Sequence, residues 1–368
     1  MPALVSLADV REAAARIEGV AARTPLVPVA GTPSPPVAGT PSPPPAGGPP
    51  VGAGTGSGSG VPPDAGGPPL LFLKCENLQR GGSFKLRGAY NFIVQVPAER
   101  RARGLITYSS GNHAQAVALA ARTLGAAAVV VMPETAPAVK VDGARALGAE
   151  ILFEGTTSVE RRARAEAEAE RRGLTIVPPF DHPEIVAGQG TVGLEILDDG
   201  PAPAAVYVPI GGGGLAAGVA AAVKARCPAA RVVGVEPVGA DAMARSLAAG
   251  APVTLDRAES IADGLLPVRP GDLTFAHAAA QIDEIVTVDD AAIAAAVRWL
   301  AERAKIVAEP SGAASVAAAL RSAPGGTAPA GGAPSAEAAP DGPTVAVVSG
   351  GNIAPAALAD LLRAPAGD

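Results

Sequence analysis

AAVYVPIGGGGLAAGVAAAVKAR, residues 204–226, reads as an apolar strand from Ala204 to Ile210, four glycines from Gly211 to Gly214, and an alanine-rich helix from Leu215 to about Arg226. Glycines at a strand-to-helix junction leave backbone N–H groups unshielded at the positive end of a helix dipole, which is a cradle for a phosphate. The plain alternative is glycine-rich slack in a chain with 45 glycines, but slack has no reason to sit at such a junction. A P-loop is excluded, because no lysine with a following serine or threonine comes after the glycines and Lys224 lies well into the helix. Gly211-x-Gly213-x-x-Ala216 also fits a dinucleotide fingerprint, and Glu236 ends the next strand where a ribose-binding acid belongs. A run of four glycines matches that fingerprint at any spacing, so an NAD-dependent oxidoreductase stands as the rival reading.

The alternation extends outward on both sides. Strands are expected at Leu70–Cys75, Gly104–Tyr108, Ala127–Met132, Glu150–Phe153, Thr175–Val177, Val232–Val235, Ile285–Val288 and Thr344–Val348. Helices are expected after Asn112, at Ala136–Leu147, Ser158–Arg172 and Asp289–Arg303, and from Glu309 to about Leu320. Leu7 to Val20 has helical spacing, with Asp9 as its cap. Strands alternating with helices of this length predict parallel sheets of the α/β class. Two tracts break the pattern. VAGTPSPP at Val29–Pro36 recurs at Val37–Pro44 and continues as Gly/Ser/Pro sequence to about residue 69, and a second such tract covers about 323–343. Their composition buries too little apolar surface to offset chain entropy, which predicts disordered insertions.

Composition narrows the function. Of 368 residues, 48% are hydrophobic but only 3% aromatic, so the core rests on Ala, Val, Leu and Ile. A formal net charge of -6 without a dense basic run argues against nucleic-acid and anionic-membrane partners and for a small-molecule substrate. Cys75 and Cys227 form no CxxC, which suggests reduced thiols in a cytoplasm. The amino-terminal residues show no basic leader with an apolar h-region, and no apolar run is long enough for a bilayer.

Lys85 sits in Asn77-Leu78-Gln79-Arg80-Gly81-Gly82-Ser83-Phe84-Lys85-Leu86-Arg87-Gly88-Ala89, after a glycine pair and between apolar residues. Such a setting can desolvate one amine, lowering its pKa toward the range where the neutral nucleophile exists. A surface lysine at a helix start is the plain alternative. Ser109-Ser110-Gly111-Asn112-His113 is a turn before a helix amino terminus, suited either to gripping a carboxylate or to simple capping. His113 reads as a satisfied helix histidine or as an acid–base group, and its lack of a carboxylate neighbour favours the first. His182 and His277 are isolated, so imidazoles build no metal cluster.

Four motifs in order, Gly82-Ser83-Phe84-Lys85-Leu86-Arg87-Gly88, Ser109 to His113, Gly211 to Gly214, and Ser349-Gly350-Gly351-Asn352, resemble those of the threonine dehydratase and serine racemase family of pyridoxal-phosphate enzymes. The resemblance covers most of the chain outside the two tracts. It implies the α/β fold-type II architecture, similar to the tryptophan synthase β subunit, with a large domain from 1–103 and 180–368 and a small domain from 104–179. It implies pyridoxal 5'-phosphate in a Schiff base on Lys85, with Phe84 beside the ring and Asn112 on the phenolic oxygen. The phosphate then falls to Gly211, Gly212, Gly213, Gly214 and Leu215, the pyridine nitrogen faces Ser349, and Glu309 lies near the ring. Ser109, Ser110, Gly111, Asn112 and His113 would hold the substrate carboxylate. Ser110 matches the serine that works on the opposite face of the cofactor in the family's racemases, whereas several dehydratases carry alanine there.

The family's divalent-cation site matches Glu236 and the carbonyl of Ala240, but Ala242 stands where an aspartate is expected. The resemblance therefore carries a Mg²⁺ or Ca²⁺ site incompletely, with Asp241 the nearest substitute. The implied activity is ammonia-lyase (dehydratase) action on L-threonine or L-serine, giving a 2-oxo acid and ammonia. Serine racemase or a related hydroxy-amino-acid dehydratase is the alternative within the fold, and a non-catalytic ligand-binding protein the alternative outside catalysis. A homodimer or homotetramer is the implied assembly.

Overall fold

The computed structural model of the chain describes residues 2–29, 71–109, 111–136, 138–155, 158–322 and 342–363. The two low-complexity tracts fall almost wholly outside the described residues. The exceptions are Val29, which ends a strand and pairs with Leu71, and Gly342 and Pro343, the second of which accepts from the Ala204 amide at 2.7 Å.

Among the described residues ten strands build two sheets: β1 (Leu26–Val29), β2 (Leu71–Cys75), β3 (Leu105–Tyr108), β4 (Ala128–Met132), β5 (Glu150–Phe153), β6 (Thr175–Ile176), β7 (Ala205–Pro209), β8 (Arg231–Pro237), β9 (Glu284–Val288) and β10 (Thr344–Val348). The larger sheet has the order β1-β2-β10-β7-β8-β9 and is parallel except for β1, which runs against β2 with Leu26 opposite Lys74. The smaller has the order β5-β4-β3-β6 and is parallel throughout. This is the α/β architecture with parallel-rich sheets and flanking helices that the alternation predicts.

Parallel strands need helices on both faces, and their residues are accordingly apolar in both directions. In the larger sheet Ala205, Tyr207, Ala346 and Val348 pack toward Asp290–Trp299 and Pro310–Ser322, while their neighbours Val206, Val208, Val345 and Val347 pack toward Gly214–Arg226. Each fully buried valine contributes roughly 1.5–3 kcal/mol. The smaller sheet is covered by Lys85–Val94 and Asn112–Thr123 on one face and by Ser158–Arg172 on the other.

Two local readings are corrected. The first helix, Leu7–Ile17, is capped by Ser6 and not by Asp9. Ser6 and Asp9 form a capping box in which the Asp9 carboxylate accepts from the Ser6 amide at 2.8 Å and the Ser6 hydroxyl accepts from the Asp9 amide at 3.3 Å. The sequence pattern also gave no helix at Pro183–Asp199, which is buried from Ile185 to Ile196 and lies against both Lys85–Val94 and Gly214–Arg226. Such a helix lacks a polar face, so amphipathic spacing cannot reveal it. Its glycines permit the close approach: a Cβ on Gly188 would stand 2.6 Å from the Cα of Gly88 on the lysine helix. The helix amino termini that carry Lys85 and the glycine loop are thereby fixed to one support.

Cys75 is buried and Cys227 partly so, both as free thiols. Among the described residues no helix is long and apolar enough to cross a membrane.

Candidate active site

Each chemistry-bearing motif follows the carboxyl end of a parallel strand. A 3-10 turn and the Lys85 helix follow β2, Ser109 follows β3, the tetraglycine loop follows β7, and Ser349 follows β10. Open α/β sheets bind ligands at such ends. Here the ends of both sheets face one cavity of about 720 Å³, lined by Phe84, Lys85, Ser109, Gly111, Asn112, His113, Gly211 to Leu215, Glu309 and Ser349. Ser110 lies outside the described residues.

Lys85 is the first residue of its helix, after Phe84. Its Nζ donates to the Pro179 carbonyl at 2.9 Å and lies 5.1 Å from the centroid of the Phe84 ring. The residue is enclosed by protein except where it meets the cavity, and burial lowers its pKa to about 8. His113 lies 3.3 Å from the Val177 carbonyl through Nε2. Burial first, then the charge of Lys85, pushes the imidazole down to about 3, so it is neutral and Nε2–H donates to that carbonyl. The Val177–Pro179 segment therefore holds both side chains, a role that its sequence did not signal.

Asn112 Nδ2 donates to Glu309 Oε1 at 2.5 Å, and Asn112 Oδ1 accepts from Asn352 Nδ2 at 2.8 Å. One amide N–H of Asn112 remains for a ligand. Asn352 also donates to the Gly81 carbonyl at 2.8 Å, tying the last motif to the first. Gly351 N–H donates to the Gly82 carbonyl at 2.9 Å, and Phe84 N–H donates to the Ser349 carbonyl at 3.2 Å. Burial pushes the Glu309 carboxyl up to about 7, with the Asn112 hydrogen bond pulling the other way. Ser349 is buried, and its hydroxyl donates to the Ser311 carbonyl at 3.4 Å.

At the glycine loop, Gly213 has φ +95° and precedes Gly214–Arg226 with no side chain capping that helix start. A Cβ on Gly212 would stand 2.3 Å from the Phe180 ring. Thr274 Oγ1 donates to the Gly212 carbonyl at 2.7 Å, and Asp181 accepts from the amides of Asp272, Leu273 and Thr274 at 3.0 to 3.2 Å. Asp181 thus anchors a second helix behind the loop.

The residues matched to a metal site stand apart from this cavity. Glu236 is fully buried, and its carboxylate accepts from the Met243 amide at 2.9 Å and the Ala244 amide at 2.8 Å. Burial raises its carboxyl to about 7 against those two hydrogen bonds. It fastens the start of Ala242–Ala249, and it is fully buried and outside the cavity lining, so it does not face a ligand there. Ala240 and Ala242 are buried, and Asp241 pairs with Arg245 at 2.8 Å. No group of three or more His, Cys, Asp or Glu able to hold a metal ion occurs among the described residues. His182 instead accepts from the Glu184 amide at 3.2 Å and His277 from the Val5 amide at 2.9 Å.

Sequence reasoning also passed over a charged cluster beneath the lysine helix. Arg87, fully buried, donates to both oxygens of Glu76 at 2.8 Å and to those of Glu195 at 2.7 and 2.9 Å. Lys74 donates to Glu195 at 2.5 Å, and Thr24 donates to Glu76 at 2.5 Å.

Fold and cavity together define an α/β protein that presents a desolvated lysine and an uncapped glycine-rich helix start to one ligand space. The chain belongs to the pyridoxal-phosphate dependent enzyme family, whose model matches residues 59–331. Over 250 residues it is 45% identical to the L-threonine ammonia-lyase of Thermotoga maritima, covering 68% of this chain and 62% of that one. It is 44% identical over 250 residues to the serine racemase of Oryza sativa subsp. indica, covering 68% and 74%. It spans 48% of the biosynthetic L-threonine dehydratase of Pasteurella multocida, at 45% identity over 247 residues, or 67% of this chain. The structure superposes on maize serine racemase with a TM-score of 0.80 at 34% identity, covering 97% of each chain. Against the T.th. threonine deaminase the TM-score is 0.76 at 37% identity, covering 95% and 99%.

The residues present fit that cofactor. An amine whose pKa burial lowers to about 8 is available for its aldehyde, glycine amides at a helix start for its phosphate, one N–H of Asn112 for its phenolic oxygen, and a neutral hydroxyl for its ring nitrogen.

Proposed function

We propose that the protein is a threonine/serine ammonia-lyase that removes the β-hydroxyl of L-threonine or L-serine and releases a 2-oxo acid and ammonia. The observation that carries this reading is the Lys85 amine, its pKa lowered to about 8 by burial, opening onto the cavity shared with the glycine loop and the Ser109 to His113 turn.

Lys85 would hold the cofactor covalently, Gly211 to Leu215 its phosphate, Asn112 its phenolic oxygen and Ser349 its ring nitrogen, with Phe84 and Glu309 beside the ring. When bound, pyridoxal phosphate supplies the sink for the electron pair left when the Cα–H bond breaks. Lys85 Nζ, when unprotonated and free of the cofactor, would take the Cα proton as general base. The amides of the Ser109 to His113 turn fix the substrate carboxylate, which sets the Cα–H bond against that amine. Ser349 is a hydroxyl and not a carboxylate, so it gives no charge to hold a proton on the ring nitrogen, which favours prompt loss of the β-hydroxyl. The neutral His113 stays with the Val177 carbonyl and holds the turn in place.

The domain division at 104–179, the dimer or tetramer and a cytoplasmic location belong to the same proposal, supported by the family resemblance. Racemisation of serine is the second reading, supported by the serine at position 110 and by the likeness to serine racemases. Purified protein tests both. A visible absorption band that vanishes in Lys85→Ala, with ammonia from L-threonine or L-serine, supports the lyase, and D-serine in recovered substrate adds the racemase. Coloured protein that releases no ammonia and leaves serine unchanged reduces the reading to a binding role.

A further inference from the structure

We propose that Lys140 recognises the α-carboxylate of the substrate, and that its ion pair with Asp263 is a latch across the cavity that this carboxylate opens. The inference deepens the reading above and rests on its amino-acid substrate.

Lys140 lies on Ala138–Ala146, the helix between β4 and β5 of the smaller sheet. Its Nζ stands 3.9 Å from where a Cβ on Gly111 would be, beside the turn assigned to the carboxylate. The same ammonium pairs with Asp263, the first residue of the 3-10 turn Asp263–Leu265 on the other side of the cavity. That turn is fixed to the larger sheet's side, because the Gly264 amide donates to Ser311 Oγ at 2.8 Å on helix Pro310–Ser322. Lys140 and Asp263 both line the cavity, and the pair joins its two walls through charge.

The pair is asymmetric. The Lys140 side chain is 17% exposed and Asp263 51% exposed, so the acid is still largely solvated while the amine faces the cavity. An ion pair with one partner in water holds weakly. A carboxylate seated at the Gly111 turn offers the amine a drier partner, and charge-assisted hydrogen bonds strengthen as water is excluded. Exchange of Asp263 for substrate removes the charge contact between the small-sheet helix and the 263–271 segment, which lines the cavity as far as Gly271. Two other cations on the cavity wall are paired, Arg162 with Glu166 at 2.8 Å and Arg269 with Asp272 at 2.7 Å.

The test uses protein loaded with pyridoxal phosphate and titrated with L-alanine, which carries the carboxylate but no β-hydroxyl to lose. Calorimetry reads Kd, and ammonia release from L-threonine and L-serine is followed in parallel. Lys140→Met should raise the Kd for L-alanine about tenfold, the factor one charge-assisted hydrogen bond contributes, with the loss in turnover falling more on KM than on kcat. Asp263→Asn removes the competing anion and should tighten L-alanine binding severalfold. In the double variant that gain should vanish, because no amine remains to be released. A merely structural role would weaken binding in both single variants, with no gain from Asp263→Asn. The proposal is overturned if Lys140→Met binds L-alanine as the parent does, if Asp263→Asn fails to tighten it, if the gain survives without Lys140, or if the parent binds none. Ammonia release with an unmoved Kd pattern sinks both the role of Lys140 and the latch and leaves the lyase reading standing. The expected Kd pattern without ammonia sinks the lyase reading and leaves Lys140 in its role.

Discussion

Arg87→Met is the sharpest test of how the lysine helix is held. The buried cluster carries two cations, Lys74 and Arg87, and two anions, Glu76 and Glu195, so it is neutral as built. Burial alone would raise the Glu76 carboxyl, but the charge and hydrogen bonds of Arg87, with Lys74 assisting, hold it below its ordinary range. Removing Arg87 leaves one cation against two anions in a site closed to water. Breaking a buried pair from one side costs about 3–5 kcal/mol. With about 2.1 cal/mol/K of unfolding entropy per residue over about 300 described residues, 4 kcal/mol lowers the thermal midpoint by about 6 °C. Calorimetry of the cofactor-free protein measures it. The signature is a sign reversal: Glu76→Gln should destabilise the parent but rescue Arg87→Met, because there it restores neutrality and spares the Lys74–Glu195 pair. A midpoint shift under about 2 °C, or a Glu76→Gln effect equal in both backgrounds, would refute the buried-charge account.

Two further outcomes follow from the site. Gly212→Ala sets a methyl against the Phe180 ring, so ring and loop must part and the loop amides lose their alignment. The affinity for pyridoxal phosphate should fall about 10- to 100-fold, the loss of one or two hydrogen bonds to a charged group, as read by equilibrium dialysis; unchanged affinity would remove the loop from the phosphate site. Capture of pyridoxal phosphate by the cofactor-free protein should accelerate as pH rises through about 8, because burial lowers the Lys85 pKa from 10.5 and only the neutral amine attacks. Stopped-flow absorbance checks this, and a rise centred near 10.5 would show that the amine is solvated.

The strands β2 to β10 were legible from residue pattern alone, because strands buried on both faces are continuous apolar runs and their glycine or serine turns are local events. Ser158–Arg172 and β10 match their expected bounds, and Lys85, the glycine loop and the Ser109 turn were singled out by residue type and neighbours. Pro183–Asp199 escaped because a helix buried all round shows no period, and Asp9 was taken for a cap that Ser6 supplies through a reciprocal hydrogen bond. Glu236 reads as a ribose acid from its place after a strand and as a metal ligand from the family resemblance, whereas its carboxylate accepts from two helix amides.

Chain chemistry therefore determined which residues could act: an amine among apolar neighbours, amides bared by glycine, and a turn of small polar side chains. Packing decided which of them meet. Asn112 reaches Glu309 and Asn352, and Lys85 reaches Pro179, only because parallel strands distant in sequence end side by side and a glycine-bearing helix lets two others approach its backbone. The lowered pKa of Lys85 is likewise absent from the sequence, since desolvation depends on the protein atoms that tertiary packing places around the amine.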